Sequence, residues 1–98
     1  MNVEVTEQGE RVVLAVQGRL DAASGASLLT AVGDAVVAAS PRIDVDLRGV
    51  TGFTPAGADA LAACRELTAE VPDGLHYCTG PGPGRDAMLA AYAGPTGD

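Results

Sequence analysis

The sequence predicts an α/β domain with a mixed, mostly parallel sheet of four or five strands and helices packed across it. The first two segments each alternate apolar and polar residues and are separated by a turn, as in a β-hairpin. Segments with helical spacing then alternate with further strand-like segments, an order that produces parallel strand pairs. The 98 residues suit one domain, which we predict over residues 1–98 with an ordered core of about 2–93.

The limits of the predicted elements follow from the spacing of the apolar residues. Alternation at every second position marks half-buried strands, and recurrence at three and four positions marks helices with one buried face. Glycine or proline lies in the turns between these segments. The expected strands are residues 2–7, 11–17, 42–47 and 75–78, and the expected helices are residues 22–39, 55–70 and 85–92. The tail over 94–98 is expected to be frayed.

The first helix is expected to begin at a capping residue and to bury one face. Asp21 stands at the N-cap position, where a carboxylate accepts hydrogen bonds from free backbone N–H groups. Pro41 prevents the helix from continuing far beyond residue 39. The predicted buried stripe consists of Leu28, Leu29, Val32, Val36 and Ala39.

The segment over 46–57 is the most informative part of the chain. It is predicted to contain the end of a buried strand, a tight loop over 49–53 and the start of the second helix. Thr54 is suited to cap that helix, and Pro55 suits its first position because the missing N–H would have no partner there. Since α/β domains usually place functional groups at such junctions, this one is the predicted site.

The second helix is expected to combine a nearly bare first turn with an amphipathic body. Its opening residues, Ala56, Gly57 and Ala58, would let a neighbouring molecule approach closely. Tight packing of the helix on the sheet is the alternative interpretation. The predicted buried stripe is Leu61, Cys64, Leu67 and Val71, and the residues predicted to face water are Asp59, Glu66 and Glu70.

Composition restricts the classes of partner and the compartment. The formal net charge is −7 and lysine is absent, which argues against nucleic acid and anionic membranes because both require a basic face. An acidic surface favours a protein partner with a basic patch. Two cysteines without CxxC spacing indicate a reducing compartment. Without a signal peptide or a long apolar run, we expect a cytoplasmic protein with no direct membrane insertion.

Enzymatic chemistry has little support in the sequence. His76 could pair with Cys64 or Cys78 as base and nucleophile, but we favour two small core cysteines and a histidine held in a strand. The glycine-rich segment over 80–85 resembles a phosphate loop only superficially, because Pro81 and Pro83 lack N–H donors. We therefore predict no enzyme and no cofactor, with this segment as a stiff connector.

A metal site is also weighed and set aside. Asp21, Asp44 and Asp46 could form a metal cluster, with Asp21 and Asp46 near strand ends at the sheet edge, but neither a histidine nor a second carboxylate pair stands at ligand spacing beside them. We favour helix capping by Asp21 and solvated charge for the other two, with a secondary role at a partner surface. No metal is predicted.

The chain resembles the STAS domain and, within it, the bacterial anti-sigma factor antagonists. The resemblance runs along nearly the whole chain, and the order and spacing of the matching segments make it fairly specific. These are Val12–Asp21 with its Gly-x-Leu-Asp ending, Ile43–Thr51 with its Asp-Leu-x-x-Val pattern, Gly57–Leu61, and Gly80–Pro81 before the last helix.

This resemblance implies a regulatory module that docks onto an anti-sigma factor, typically a serine kinase. Antagonists usually carry Asp-Ser-(Ser/Ala)-Gly at the helix start, and phosphorylation of the serine switches docking off. Here Pro55 stands in the place of that serine and Thr54 in the place of the aspartate. The module is then always competent to dock, or Thr54 accepts the phosphate instead, or the domain has another STAS role. We favour Thr54 as a plain N-cap.

The implied docking face lies at the junction between the third strand and the second helix. It consists of Asp21, Gly52, Phe53, Thr54, Pro55, Ala56, Gly57 and Asp59. Phe53 is either an apolar anchor for the partner or a core residue beneath the loop. The alternative function is a small STAS subunit that binds a transporter ATPase of the lipid-asymmetry type, and a homodimer is left open.

Overall fold

The computed structural model describes residues 2–71 and 74–93, which form four strands and three helices. The strands are β1 (Asn2–Gln8), β2 (Arg11–Leu20), β3 (Arg42–Phe53) and β4 (Leu75–Cys78), and the helices are α1 (Ala22–Val37), α2 (Pro55–Leu67) and α3 (Pro83–Ala93). The sheet has the order β1-β2-β3-β4. Since β1 is antiparallel to β2 and the other two pairs are parallel, the predicted mixed, mostly parallel sheet is confirmed.

The three helices pack side by side on one face of the sheet. Helix α2 contacts both α1 and α3, while α1 packs on β2 and α3 on β3. The core between helices and sheet is aliphatic, and its largest fully buried side chains are Leu14, Leu20, Leu28, Ile43, Leu47 and Leu61. Full burial of a leucine contributes about 1.5–3 kcal/mol, so this layer contact is the main source of stability.

The tight loop predicted over 49–53 is wrong, because this segment continues β3 as far as Phe53. It pairs with an equally extended end of β2, so that Gly49 lies opposite Gln17 and Phe53 opposite Leu20. Two register shifts in this part of the ladder each place an extra residue in β3. Such bulges break the period of two, which is why the segment lacks the alternation of a strand.

The helix ends differ from the predicted ones by a few residues. Helix α1 ends at Val37, and Ala39 lies beyond it in the left-handed region with φ 61°, outside the buried stripe. Helix α2 ends at Leu67, which is 44% exposed rather than buried. There the hydroxyl of buried Thr68 donates to the Cys64 carbonyl oxygen at 2.9 Å and closes the last turn. The frayed tail predicted over 94–98 lies outside the described residues.

Candidate functional site

Two helix starts lie side by side at the carboxyl ends of β2 and β3. The parallel register places Leu20 opposite Phe53, so the residues that follow them, Asp21 and Thr54, are neighbours at this edge of the sheet. The Thr54 N–H donates to the Leu20 carbonyl oxygen at 2.9 Å and links the two junctions. The predicted neighbourhood of Asp21 and the β3–α2 junction therefore exists in the fold.

Thr54 caps α2 as predicted. Its backbone is extended, with φ −113° and ψ 166°, and its Oγ1 accepts the Gly57 N–H at 3.2 Å. The Thr54 carbonyl oxygen then accepts the Ala58 N–H at 3.0 Å as the first bond of the helix. Pro55 occupies the first helical position and is exposed, as is Ala56. These two residues form the outermost surface of the junction.

Asp21 caps α1 through a closed hydrogen-bond network with fully buried Ser24. Asp21 Oδ1 accepts the Ser24 N–H at 3.0 Å, and Ser24 Oγ accepts the Asp21 N–H at 2.7 Å. The Ser24 hydroxyl also lies 2.9 Å from the Arg19 carbonyl oxygen, to which it donates. Hydrogen bonds from Ser24 hold the pKa of the Asp21 carboxyl below its usual value, because they favour its charged form.

Gly57 is buried against β2, so the close approach predicted at this position is made within the chain. A Cβ on Gly57 would collide with the backbone carbonyl of Leu20. A Cβ on Gly25 of α1 would lie 2.6 Å from the Ala60 Cβ of α2. The alternative interpretation, tight packing of helix on sheet, therefore describes Gly57. Sequence reasoning missed Gly25, although a glycine in an apolar helix position was visible.

Asp59 stands between two shallow apolar grooves on the helix layer. One groove, of about 260 Å³, lies between α2 and α3 and is lined by Phe53, Pro55, Ala58, Asp59, Ala62, Ala90 and Ala91. The other, of about 310 Å³, lies between α1 and α2 and is lined by Ala22, Ala26, Leu29, Ala56, Asp59, Ala60 and Ala63. Phe53 is half-buried against the core, as one of its two predicted roles requires, and it also lines the first groove. Its role as an anchor for a partner stays a prediction.

The predicted docking residues thus divide by exposure. Asp21, Gly52, Phe53 and Thr54 are half-buried, Gly57 is buried, and Pro55, Ala56 and Asp59 are exposed. The exposed members surround the start of α2, and the others position it. The exposed members of the predicted docking face therefore all lie on α2, with half-buried Gly52 and Phe53 beside them.

The two cysteines considered for nucleophilic chemistry differ in exposure. Cys64 is fully buried, and burial raises the pKa of its thiol to about 12, which favours the neutral thiol over the nucleophilic thiolate. Cys78 is exposed, which corrects the expectation that both cysteines lie in the core. His76 and Cys78 share the helix-free face of the sheet.

Between β4 and α3, the predicted connector bends at Pro81 and Gly82.

The two aspartates of β3 are ion-paired on the helix-free sheet face. Buried Asp44 accepts Arg11 Nη1 at 3.2 Å and Arg42 Nε at 2.9 Å, which corrects the prediction of solvated charge. Asp46 accepts Arg48 Nη2 at 2.8 Å, and this hydrogen bonding lowers the pKa of the Asp46 carboxyl. Within residues 2–71 and 74–93, no three His, Cys, Asp or Glu side chains are grouped to hold a metal ion.

The helices of the described chain do not reach the combination of length and apolar character that crossing a bilayer requires.

Among solved structures, the fold is similar to an anti-sigma factor antagonist from Mycobacterium paratuberculosis, with a TM-score of 0.75 and 26% identity over 90% of this chain and 75% of that one. It is also similar to the anti-sigma factor antagonist SpoIIAA in its unphosphorylated form, with a TM-score of 0.70 and 14% identity over 90% of this chain and 82% of that one.

A third similarity is to Mglu, with a TM-score of 0.66 and 23% identity over 76% of this chain. The chain spans only 18% of the Mglu chain, so this match concerns the fold alone. No curated protein matches the chain significantly. The model of one family, described as "Mlab, STAS domain", matches residues 3–93. The resemblance to the STAS domain is thereby confirmed, and the chain belongs to this family of STAS domains.

Proposed function

We propose that the chain is a non-enzymatic, cytoplasmic protein-binding module that acts as an anti-sigma factor antagonist. The observation that carries this proposal is the similarity to the Mycobacterium paratuberculosis antagonist, which extends over 90% of this chain at 26% identity. The partner is then an anti-sigma factor of the serine-kinase type. Exposed Pro55, Ala56 and Asp59 are the residues through which the β3–α2 junction docks.

The module differs from a switchable antagonist at the position of the phosphate acceptor. Pro55 has no hydroxyl group, so phosphorylation at the first position of α2 is chemically excluded. The neighbouring Thr54 hydroxyl oxygen already accepts the Gly57 N–H, which supports a structural role for it. A phosphate would bring about two negative charges into the docking face. Without an acceptor, the module stays competent to dock.

A small STAS subunit that binds a transporter ATPase of the lipid-asymmetry type is the second candidate. The description of the matching family model favours it, because that description names Mlab rather than the antagonists. The same exposed junction would serve as the contact surface in both cases. The two candidates therefore differ in the partner and not in the site.

Affinity capture from the lysate of the host distinguishes these partners. The tagged chain should recover a kinase-type anti-sigma factor, whereas recovery of a transporter ATPase would establish the second candidate. Ala56→Arg places a bulky charged group at the exposed junction and should abolish recovery. Ala69→Arg makes the same change at an exposed position after α2 and should leave recovery intact. Equal recovery by both variants would contradict docking through the junction.

Phosphorylation by the recovered kinase tests the missing switch. With ATP, the natural chain should keep its intact mass, because position 55 has no acceptor. Pro55→Ser restores a hydroxyl at that position and should gain the mass of one phosphate. A phosphate mapped to Thr54 in the natural chain would overturn the proposal that docking is not switched at this junction.

A further inference from the structure

The carboxylate of Asp59 lacks the kind of partner that the other site carboxylates have. Asp44 and Asp46 are ion-paired with arginine, and Asp21 is held in its capping network. Asp59 is exposed, and its side chain has no hydrogen bond or ion pair within the described residues. Its charge is therefore available to a group outside this fold.

The surroundings of Asp59 are apolar on both sides. Apart from Asp59, the linings of the α2–α3 groove and the α1–α2 groove contain only alanine, proline, phenylalanine and leucine. The small alanine side chains leave room for larger apolar groups from a partner. A single negative charge between two such grooves is complemented by a partner that places a cation between two apolar side chains.

We propose that this surface receives a helix of the partner protein that crosses α2. Neighbouring helices lie about 8–10 Å apart, so the two grooves that flank α2 are separated by about 10 Å. A helix rises 1.5 Å per residue, so residues seven apart are separated by about the same distance on one face. The partner helix carries large apolar residues at i and i+7, and arginine or lysine at i+3 or i+4 between them. The inference rests on the proposed function, because it specifies the partner of the same site.

Charge and sequence favour a different protein over a second copy of this chain as the source of that helix. The chain has a net charge of −7, so its own copies repel one another, whereas a basic partner is attracted. Helix α1 contains no basic residue. In α2, the residues four and three positions before Arg65 are Leu61, which is fully buried, and Ala62, which is small. In α3, Arg85 is the third residue, so no residue of that helix precedes it by three or four positions.

A designed peptide tests the inference without the natural partner. The probe is a fluorescent, hydrocarbon-stapled helix of about 15 residues, with leucine at i and i+7 and arginine at i+4; its twin has glutamate instead of arginine. The natural chain should bind the arginine peptide about tenfold more tightly than its twin in fluorescence anisotropy titrations. Asp59→Lys should reverse this preference, and Asp59→Asn should remove it. Asp34→Lys, the same charge change at an exposed position near the end of α1, should leave it unchanged.

A preference for the arginine peptide that survives in Asp59→Lys would overturn the inference. The same four proteins are then compared with the natural partner, where Asp59→Lys should weaken the complex about tenfold and Asp34→Lys should not. If the partner binds the natural chain and Asp59→Lys equally well, the inference fails and the proposed function stands. If no partner of the proposed kinds is recovered, the proposed function fails, while the peptide result still decides the chemistry of the surface.

Discussion

The first turns of α1 and α2 lie side by side at one edge of the sheet, and the two helices are capped in different ways. At the β2–α1 junction, Asp21 and buried Ser24 form a reciprocal network in which each side chain accepts the backbone N–H of the other residue. At the β3–α2 junction, Thr54 supplies one side-chain acceptor, and Pro55 removes one donor by having no N–H. The cap of the first junction is charged and internally closed, whereas the cap of the second is neutral. Both helices begin with small exposed residues, Ala22 and Ala23 in α1 and Pro55 and Ala56 in α2.

Under the proposed function, the first junction serves mainly the stability of the fold, and the second also carries the contact with the partner. The side chain of Ser24 is fully buried and cannot face a partner, while Pro55 and Ala56 are exposed. Both helix starts are nevertheless fixed to the sheet through Leu20, whose carbonyl oxygen accepts the Thr54 N–H. Under the proposed function, a docking surface held on this base would lose little conformational entropy on binding.

The largest loss of stability is expected from a substitution where a helix contacts the backbone of the sheet. Gly57→Ala places a Cβ into the Leu20 carbonyl group, which cannot move without breaking the junction, and should cost about 3 kcal/mol of unfolding free energy. Gly25→Ala brings two Cβ atoms to 2.6 Å between α1 and α2, which the helices relieve by separating slightly, so about 1 kcal/mol is expected. Urea denaturation of both variants measures the difference.

A compensating change separates these two contacts further. Ala60→Gly removes the atom that the new Cβ of Gly25→Ala meets, so in the double variant it should relieve the close contact. The same change should not rescue Gly57→Ala, because that clash is with a backbone carbonyl. An equal rescue of both would mean that Gly57 is limited by helix–helix packing rather than by contact with β2.

The order of strands and helices could be predicted from apolar periodicity because most elements present one buried face. The exception is the end of β3, where two bulges disturb the alternation that identifies a strand. Local sequence also could not show that Gly57 faces Leu20, because that contact depends on how α2 crosses β2. The caps at Asp21 and Thr54 were predictable, since capping depends on residues three apart.

The electrostatic environment of the aspartates was less accessible to sequence reasoning. Alternation in β3 predicts that Asp44 and Asp46 share one sheet face. It does not predict that β2 places Arg11 beside Asp44. Whether Asp59 has a partner likewise depends on which side chains the neighbouring helices present. The partner of Asp44 and the lack of one for Asp59 both depend on contacts between residues far apart in the sequence, which local sequence patterns do not reveal.

A smaller effect should separate the two caps. Ser24→Ala removes a buried hydroxyl that serves the Asp21 N–H and the Arg19 carbonyl oxygen, so about 2 kcal/mol of unfolding free energy should be lost. Thr54→Ala removes one hydrogen bond in a half-buried setting and should cost about 1 kcal/mol. Thermal denaturation by circular dichroism measures both. A larger loss for Thr54→Ala would contradict the view that stability is concentrated at the first junction.

The smallest effect concerns pH, because only one of the two caps titrates. The pKa of Asp21 is lower in the folded chain than in the unfolded chain, so its charged form stabilises the fold above the unfolded value and this contribution is lost as the pH falls through the folded value. The stability difference between the natural chain and Asp21→Asn should therefore be constant above the unfolded pKa and shrink as the pH falls below it. The difference caused by Thr54→Ala should stay constant, since threonine does not titrate. Because Asp46 titrates alike in all three proteins, its own acid sensitivity cancels from both differences. A difference for Asp21→Asn that does not change with pH would mean that the cap acts through hydrogen-bond geometry alone.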